Sequence, residues 1–244
     1  MKIFYRLSDG SYKKSRLENA TKEKCFKNFV WEGFDSQEDE MYLFLDNVRD
    51  ETFEHFCGLA ESCGVNVVRT VAGSSAGSFK LVLEEALQLD SDEVVYFVED
   101  DYAHLPGSRK ILLEGIERAH YVTLYNHPDK YIPASQGGNP LIGDDGAEET
   151  KVFVTKSSYW MATNSTTMTF ASTAQVLKED ELTWMKYIQG TYPEDMRIFF
   201  ELRQRGRSLI QPIPTYSTHC EIPWTAHLHG TGINDWNEFL KRYE

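Results

Sequence analysis

Disulfide and zinc chemistry have little to work with in this chain. Its 244 residues include 4 cysteines, Cys25, Cys57, Cys63 and Cys220, and none forms the CxxC spacing of a structural zinc site. Cys25, Cys57 and Cys63 fall on apolar faces of predicted helices, where a thiol behaves as a small hydrophobe. The reading is a reduced, cytoplasmic protein. No apolar run reaches the length of about 18 residues that a spanning helix needs, and no signal-like leader is visible, so neither export nor a helical anchor is expected. Basic residues are scarce as well. Lys and Arg number 25 against 38 Asp and Glu, a formal net charge of -13, which does not suit a protein that grips duplex nucleic acid by its phosphates. Internal repeats, low-complexity runs, a Walker spacing and an HExxH pattern are all missing.

What is present is an ordinary globular composition, with 41% hydrophobic and 26% charged residues, enough for one substantial α/β domain. The first half alternates strand and helix. Strands are predicted at 2–6, 41–45, 65–68, 94–98 and 121–124. Helices are predicted at 21–31, 50–63, from Ser74 or Ser75 onward, and at 109–119. Such alternation implies parallel βαβ units and a crevice at the carboxyl ends of the strands. Beyond Asn126 comes a Gly-, Pro- and Asp-rich loop to Thr150, then a hairpin at 152–155 and 159–163. Helices near 168–178 and 193–205, a strand at 208–212 and an extended tail from 213 to 232 complete the expectation of a single domain.

The most informative stretch is Val94-Val95-Tyr96-Phe97-Val98-Glu99-Asp100-Asp101. A strand buried on both faces ends in three carboxylates, a position packing does not favour for uncompensated charge. A divalent cation would resolve the conflict, because hard carboxylate oxygens suit Mg²⁺ or Mn²⁺. The plainer alternative is a solvated loop or a helix cap. Pro193-Glu194-Asp195 opens a helix with acids at its favourable end. Asp195 shares a face with Ile198, Phe199 and Leu202 and so points inward as a candidate general base, with Glu194 second to it on the solvent side. His219, His227 and His229 in the tail are all candidate nitrogen ligands beside Asp101, or simply hydrogen-bonded loop histidines. Arg6 and Asp46 end the first two strands and face the crevice. Lys80 lies inside a helix opened by small residues, Gly73 to Ser78, that would let an anion approach its N-terminus.

Together these residues resemble a GT-A glycosyltransferase, similar to the family 2-like and small virus-encoded types. Glu99-Asp100-Asp101 matches the DxD position with Glu in place of the first Asp, and Pro193-Glu194-Asp195 matches an acidic motif that opens a helix after the acceptor region. The resemblance implies an α/β GT-A domain, with a mostly parallel central sheet and a small antiparallel acceptor-side part. Residues 1–124 would form the nucleotide-binding half and 125–244 the acceptor half. It implies a nucleotide-sugar donor, a UDP-sugar first among them, a carbohydrate or other hydroxyl acceptor, and Mn²⁺ or Mg²⁺. Asp101 and His219 would bind the metal, and Arg6, Asp46, Lys80, Glu99 and Asp100 would border the nucleotide. Asp195 would deprotonate the acceptor in an inverting displacement. Segments 125–131 and 160–170 also resemble parts of such enzymes near donor sugar and acceptor. His227-Leu228-His229-Gly230 resembles a His-x-x-Gly motif of retaining transferases, without the lysine that usually follows, so both stereochemical courses and all three tail histidines stay open. A nucleotidyltransferase would want a Gly- and Lys/Arg-rich loop after the first strand, whereas Leu7-Ser8-Asp9-Gly10-Ser11-Tyr12 has one glycine and no base before Lys13. A non-catalytic carbohydrate-binding module and a His227/His229 metal hydrolase are the remaining alternatives.

Overall fold

The computed structural model describes residues 1–10 and 15–244; Ser11, Tyr12 and Lys13 of the loop after the first strand lie outside them. The alternation in the first half is present as β1 (Lys2–Ser8), α1 (Lys22–Glu32), β2 (Glu40–Asp46), α2 (Asp50–Ser62), β3 (Asn66–Thr70), α3 (Ser75–Ala86) and β4 (Val94–Glu99). Local signals set the boundaries. The Thr21 hydroxyl caps α1 by accepting from the Lys24 N–H, and the Ser74 hydroxyl caps α3 by accepting from the Gly77 N–H, each satisfying an N–H that the helix leaves without a partner. Gly64, at φ 71, takes the left-handed conformation that ends α2.

The chain continues through β5 (Tyr102–His104), α4 (Ser108–Ile116), β6 (Tyr121–Val122), β7 (Val152–Val154), β8 (Tyr159–Ala162) and β9 (Phe170–Thr173). Then follow α5 (Ala174–Glu179), α6 (Glu181–Tyr187), α7 (Asp195–Gln204), β10 (Leu209–Ile213), β11 (Ser217–His219) and α8 (Trp236–Leu240). One 9-stranded sheet has the order β3-β2-β1-β4-β9-β6-β10-β8-β7. Within it only β9 and β8 run against the other strands. Side chains alternate across each strand, so the sheet feeds two cores. Tyr96 and Val98 of β4 join the cluster formed with α1, α2 and α4, while Val95 and Phe97 join the cluster beneath α3 and α5 to α7.

Several expected elements differ. The helix expected at 168–178 is a strand followed by a short helix, because Phe170–Thr173 pairs antiparallel with β4 and bridges it to β6. The helix expected from Pro193 begins at Asp195, with Glu194 in a non-helical conformation before it. The expected extended tail is broken by a 3-10 turn at Ile222–Trp224. Its residues 217–219 form a 2-stranded antiparallel sheet with β5, and α6 and α8 lie where no helix was expected. A third core cluster of Tyr102, Ala103, Cys25, Cys220, Trp236 and Phe239 holds this small sheet against the main body.

Candidate active site

The sheet order explains why acids and bases from distant parts of the chain meet. β1 lies between β2 and β4, so the segments that follow all three strands emerge side by side at the carboxyl edge. They line a cleft of about 420 Å³ with Arg6, Asp46, Glu99, Asp100, Asp101, Asp195 and His219 among its walls. That volume lies in the range of small-molecule sites.

The three carboxylates at the end of β4 each have a basic partner. Arg6 Nη2 donates to Glu99 Oε1 at 3.2 Å, Lys22 pairs with Asp100, and Arg16 Nη2 donates to Asp101 Oδ2 at 3.0 Å. Side chains of β1, α1 and the segment between them thus offset this charge before any cation is considered. Asp100 also accepts from the Ser8 N–H at 3.0 Å. Burial pushes its carboxyl above the ordinary carboxylate value, Lys22 and Ser8 pull it back, and neighbouring Asp101 adds to the rise. For Arg16, burial opposes the charge, but Asp101 and Asp100 outweigh it and hold the guanidinium pKa above its usual value.

His219 reaches this point through backbone pairing. In the small sheet it lies opposite Tyr102, and the Cys220 N–H donates to the Asp101 carbonyl at 2.8 Å. The register places His219 Nε2 3.1 Å from Asp101 Oδ2. The imidazole lies over the Tyr102 ring, centroids 5.2 Å apart and planes at 17°, and Tyr102 is fixed by a 2.5 Å hydrogen bond between its hydroxyl and that of Thr167. His227 and His229 stack on each other instead, 5.9 Å apart, and are exposed, neither being among the residues that line the cleft. Of the three tail histidines, His219 is the one brought to the acidic strand end.

The donor set defines what could be held here. Among the described residues no group of three or more His, Cys, Asp or Glu side chains is arranged to hold a metal ion. Asp101 and His219 together offer one carboxylate and one imidazole. A pair of that kind fits a cation that takes its other ligands from phosphate oxygens and water, as Mg²⁺-type ions do at nucleotide sites, and not a cation caged by protein alone.

The other expected residues divide. Arg6 is buried beneath the cleft, donates to the Ser75 carbonyl at 3.4 Å and lies over the Phe79 ring. Asp46 accepts from the Ala72 N–H at 2.7 Å and the Thr70 hydroxyl at 3.2 Å, which fixes the start of the segment leading to α3. Asp195 reaches the cleft wall from the first residue of α7. Glu194 instead faces solvent and pairs with Arg197 at 2.5 Å. Lys80 does not come to the cleft: it is exposed on α3, 3.7 Å from Glu84. Two of the first backbone N–H groups of α3 are also already engaged. Its Ala76 N–H donates to the Thr191 carbonyl and its Gly77 N–H to Ser74, so the Ser74 to Ser78 wall meets a ligand mainly through hydroxyls.

Arg16, Lys22 and Tyr102 had no place among the sequence candidates. One signal was available: Lys13-Lys14-Ser15-Arg16 is a basic run in an acidic chain, directly after the first strand.

No family model matches the sequence, and no curated protein matches it. Solved structures do match the fold. GalNAc-T7 with UDP, GalNAc and Mn²⁺ superposes with a TM-score of 0.59 at 14% identity, over 89% of this chain and 43% of that one. S. aureus TarS, residues 1–349, gives 0.51 at 14% identity over 86% and 58%, and its complex with UDP-GlcNAc gives 0.52 at 14% identity over 86% and 56%. This chain thus spans about half the length of the structures it resembles. The fold is that of GT-A glycosyltransferases. Among the described residues, no helix is long and apolar enough to cross a membrane.

Proposed function

We propose that the protein is a metal-dependent glycosyltransferase that moves a sugar from a nucleotide-sugar, a UDP-sugar in the first instance, to a hydroxyl of a carbohydrate or other acceptor. The observation that carries the reading is the convergence of Glu99, Asp100, Asp101, His219 and Asp195 on one cleft at the carboxyl end of β4, the edge where α/β sheets bind ligands. Two of the solved structures with this fold hold UDP and UDP-GlcNAc, which makes uridine nucleotides the first to test.

In this reading Asp101 and His219 would hold Mn²⁺ or Mg²⁺, which would supply positive charge against the leaving diphosphate. Arg6, Asp46, Glu99 and Asp100 shape the nucleotide wall, Arg6 and Asp46 through segments they already clamp. Asp195 accepts the proton of the acceptor hydroxyl as it attacks the anomeric carbon, and a single displacement inverts that centre. The chain acts as one transferase domain, residues 1–124 serving the nucleotide and 125–244 the acceptor. Its four cysteines are free thiols, in keeping with a reduced, cytoplasmic setting.

Calorimetric titration with UDP, with and without Mn²⁺, tests the reading. Metal-dependent binding that disappears in Asp101→Asn is the expected result. Silence toward UDP and GDP under both conditions overturns it.

A further inference from the structure

The carboxylate that the proposed function gives to a cation already meets one of the chain's own charges. Asp101 Oδ2 lies 3.0 Å from Arg16 Nη2 and 3.1 Å from His219 Nε2. Arg16 also lines the same cleft as Asp101, Ser8 and Gly10. Its backbone is anchored independently of its side chain. Arg16 bridges antiparallel to Glu221, the Leu17 N–H donates to the Cys220 carbonyl at 3.0 Å, and the Ile222 N–H donates to the Ser15 carbonyl at 2.8 Å. A rotamer change alone can therefore move the guanidinium within the cleft while residues 15–17 stay in place.

We propose that Arg16 is a diphosphate-binding residue that Asp101 holds in reserve: when a divalent cation takes the Asp101 carboxylate, the guanidinium transfers to the phosphate oxygens that arrive with the cation. Two physical requirements are met. A cation and a guanidinium cannot both keep close contact with one carboxylate oxygen without repelling each other, and the planar fork of arginine matches phosphate as well as carboxylate. The exchange leaves Asp101 and Arg16 each beside an opposite charge in both states. Without ligand, Arg16 neutralises Asp101; with ligand, the cation does so and Arg16 neutralises phosphate. It also makes cation and nucleotide binding mutually supportive, because each makes a partner available for the other.

This inference rests on the nucleotide-sugar reading, and its test separates the two. Mn²⁺ alone is titrated into wild type and Arg16→Gln, followed by paramagnetic resonance of the free ion; UDP is then titrated in saturating Mn²⁺ by calorimetry. The two arms are expected to move in opposite directions. Arg16→Gln binds Mn²⁺ alone several-fold more tightly, because Asp101 is released, and binds UDP with Mn²⁺ about ten- to hundredfold more weakly, as the loss of a charge-assisted hydrogen bond requires. Equal UDP affinity in variant and wild type overturns the role of Arg16 while leaving the transferase reading intact. Mn²⁺ affinity that is unchanged or weaker in the variant overturns the reserve at Asp101. A wild type that binds Mn²⁺ but neither UDP nor GDP overturns the nucleotide-sugar reading itself. If Arg16→Gln does not fold, Arg16→Lys carries the test: it keeps the pairing with Asp101 and wild-type Mn²⁺ affinity, but loses UDP affinity with the fork. Unchanged UDP affinity in that variant counts against the proposal.

Discussion

Asp195 and Glu194 are adjacent acids with opposite surroundings, and their difference is testable at single-residue resolution. Asp195 reaches the cleft while Glu194 is held at the surface by Arg197. A positioned base contributes about 10²–10⁴ in rate. Asp195→Asn should lower kcat by that order and leave UDP affinity unchanged, and Glu194→Gln should turn over close to wild type. Steady-state kinetics beside a UDP titration decides it, and comparable losses in both variants would remove Asp195 from its role. A second residue matters through its burial. His104 is enclosed, its Nε2 2.7 Å from the Tyr96 hydroxyl, and burial lowers its pKa to about 3. The unfolded chain takes up this proton near pH 6.5 and the native ring does not. Its contribution is therefore complete above about pH 6.5 and is lost as pH falls toward 3, at about 1.4 kcal/mol per unit. Between pH 7 and 5 that amounts to about 2 kcal/mol. Urea unfolding of His104→Asn at both pH values should show an acid loss smaller by about this amount; equal losses would show that His104 does not set the slope.

At the scale of elements, the decisive joint is where α1 meets β5. The amide of Asn28 donates to the His104 carbonyl at 2.9 Å and accepts from the His104 N–H at 2.7 Å. It thus completes β5 on one side of the strand while β11 completes it on the other. Asn28→Ala leaves two buried backbone groups without partners, a cost of about 2–4 kcal/mol, and loosens the ladder that aligns His219 with Asp101. Lower stability in urea together with weaker metal-dependent UDP binding is expected; a loss under about 1 kcal/mol would mean that the ladder stands without this amide. Element type was legible where one signal dominated. β4 reads as a continuous apolar run because both its faces are buried, and α1 and α3 carry their caps in sequence. β9 was misread because Phe170, Ala174 and Leu177 recur at helical spacing, while pairing with β4 and β6 draws Phe170–Thr173 into the sheet. The acids of the site were legible for a related reason, since charge directly after a buried strand stands out. Of their basic partners only Arg6 was. Arg16 and Lys22 precede Asp101 by most of a hundred residues, and only the placement of β1 beside β4 brings them over it.

At the scale of the molecule, the site leans on a third core distinct from the two that flank the large sheet. The two cores flanking the large sheet draw on β1 to β4 and α1 to α7. The third, around Tyr102, Cys220 and Trp236, depends on the end of the chain. There the Trp236 indole donates to the Ala226 carbonyl at 2.8 Å, the Tyr243 hydroxyl to Glu32 at 2.7 Å, and the Asn19 N–H to the Asn237 side chain at 2.7 Å. The last contact steadies the segment that carries Arg16, and the packing of Trp236 and Phe239 backs the β5–β11 pair. Removal of residues 236–244 should therefore separate fold from site. Far-UV circular dichroism of the shortened chain should keep the α/β signature, because both large cores remain, while metal-dependent UDP binding falls at least tenfold as His219 and Arg16 lose their support. Phe199→Ala supplies the contrast. It opens a cavity in the core beneath α7 at a cost of about 3–5 kcal/mol, so stability should fall while UDP affinity holds at temperatures below the melting point. If the shortened chain binds UDP like the intact one, the tail is only a cover. If it unfolds outright, the third core is part of the cooperative unit, and the division between fold and site does not exist.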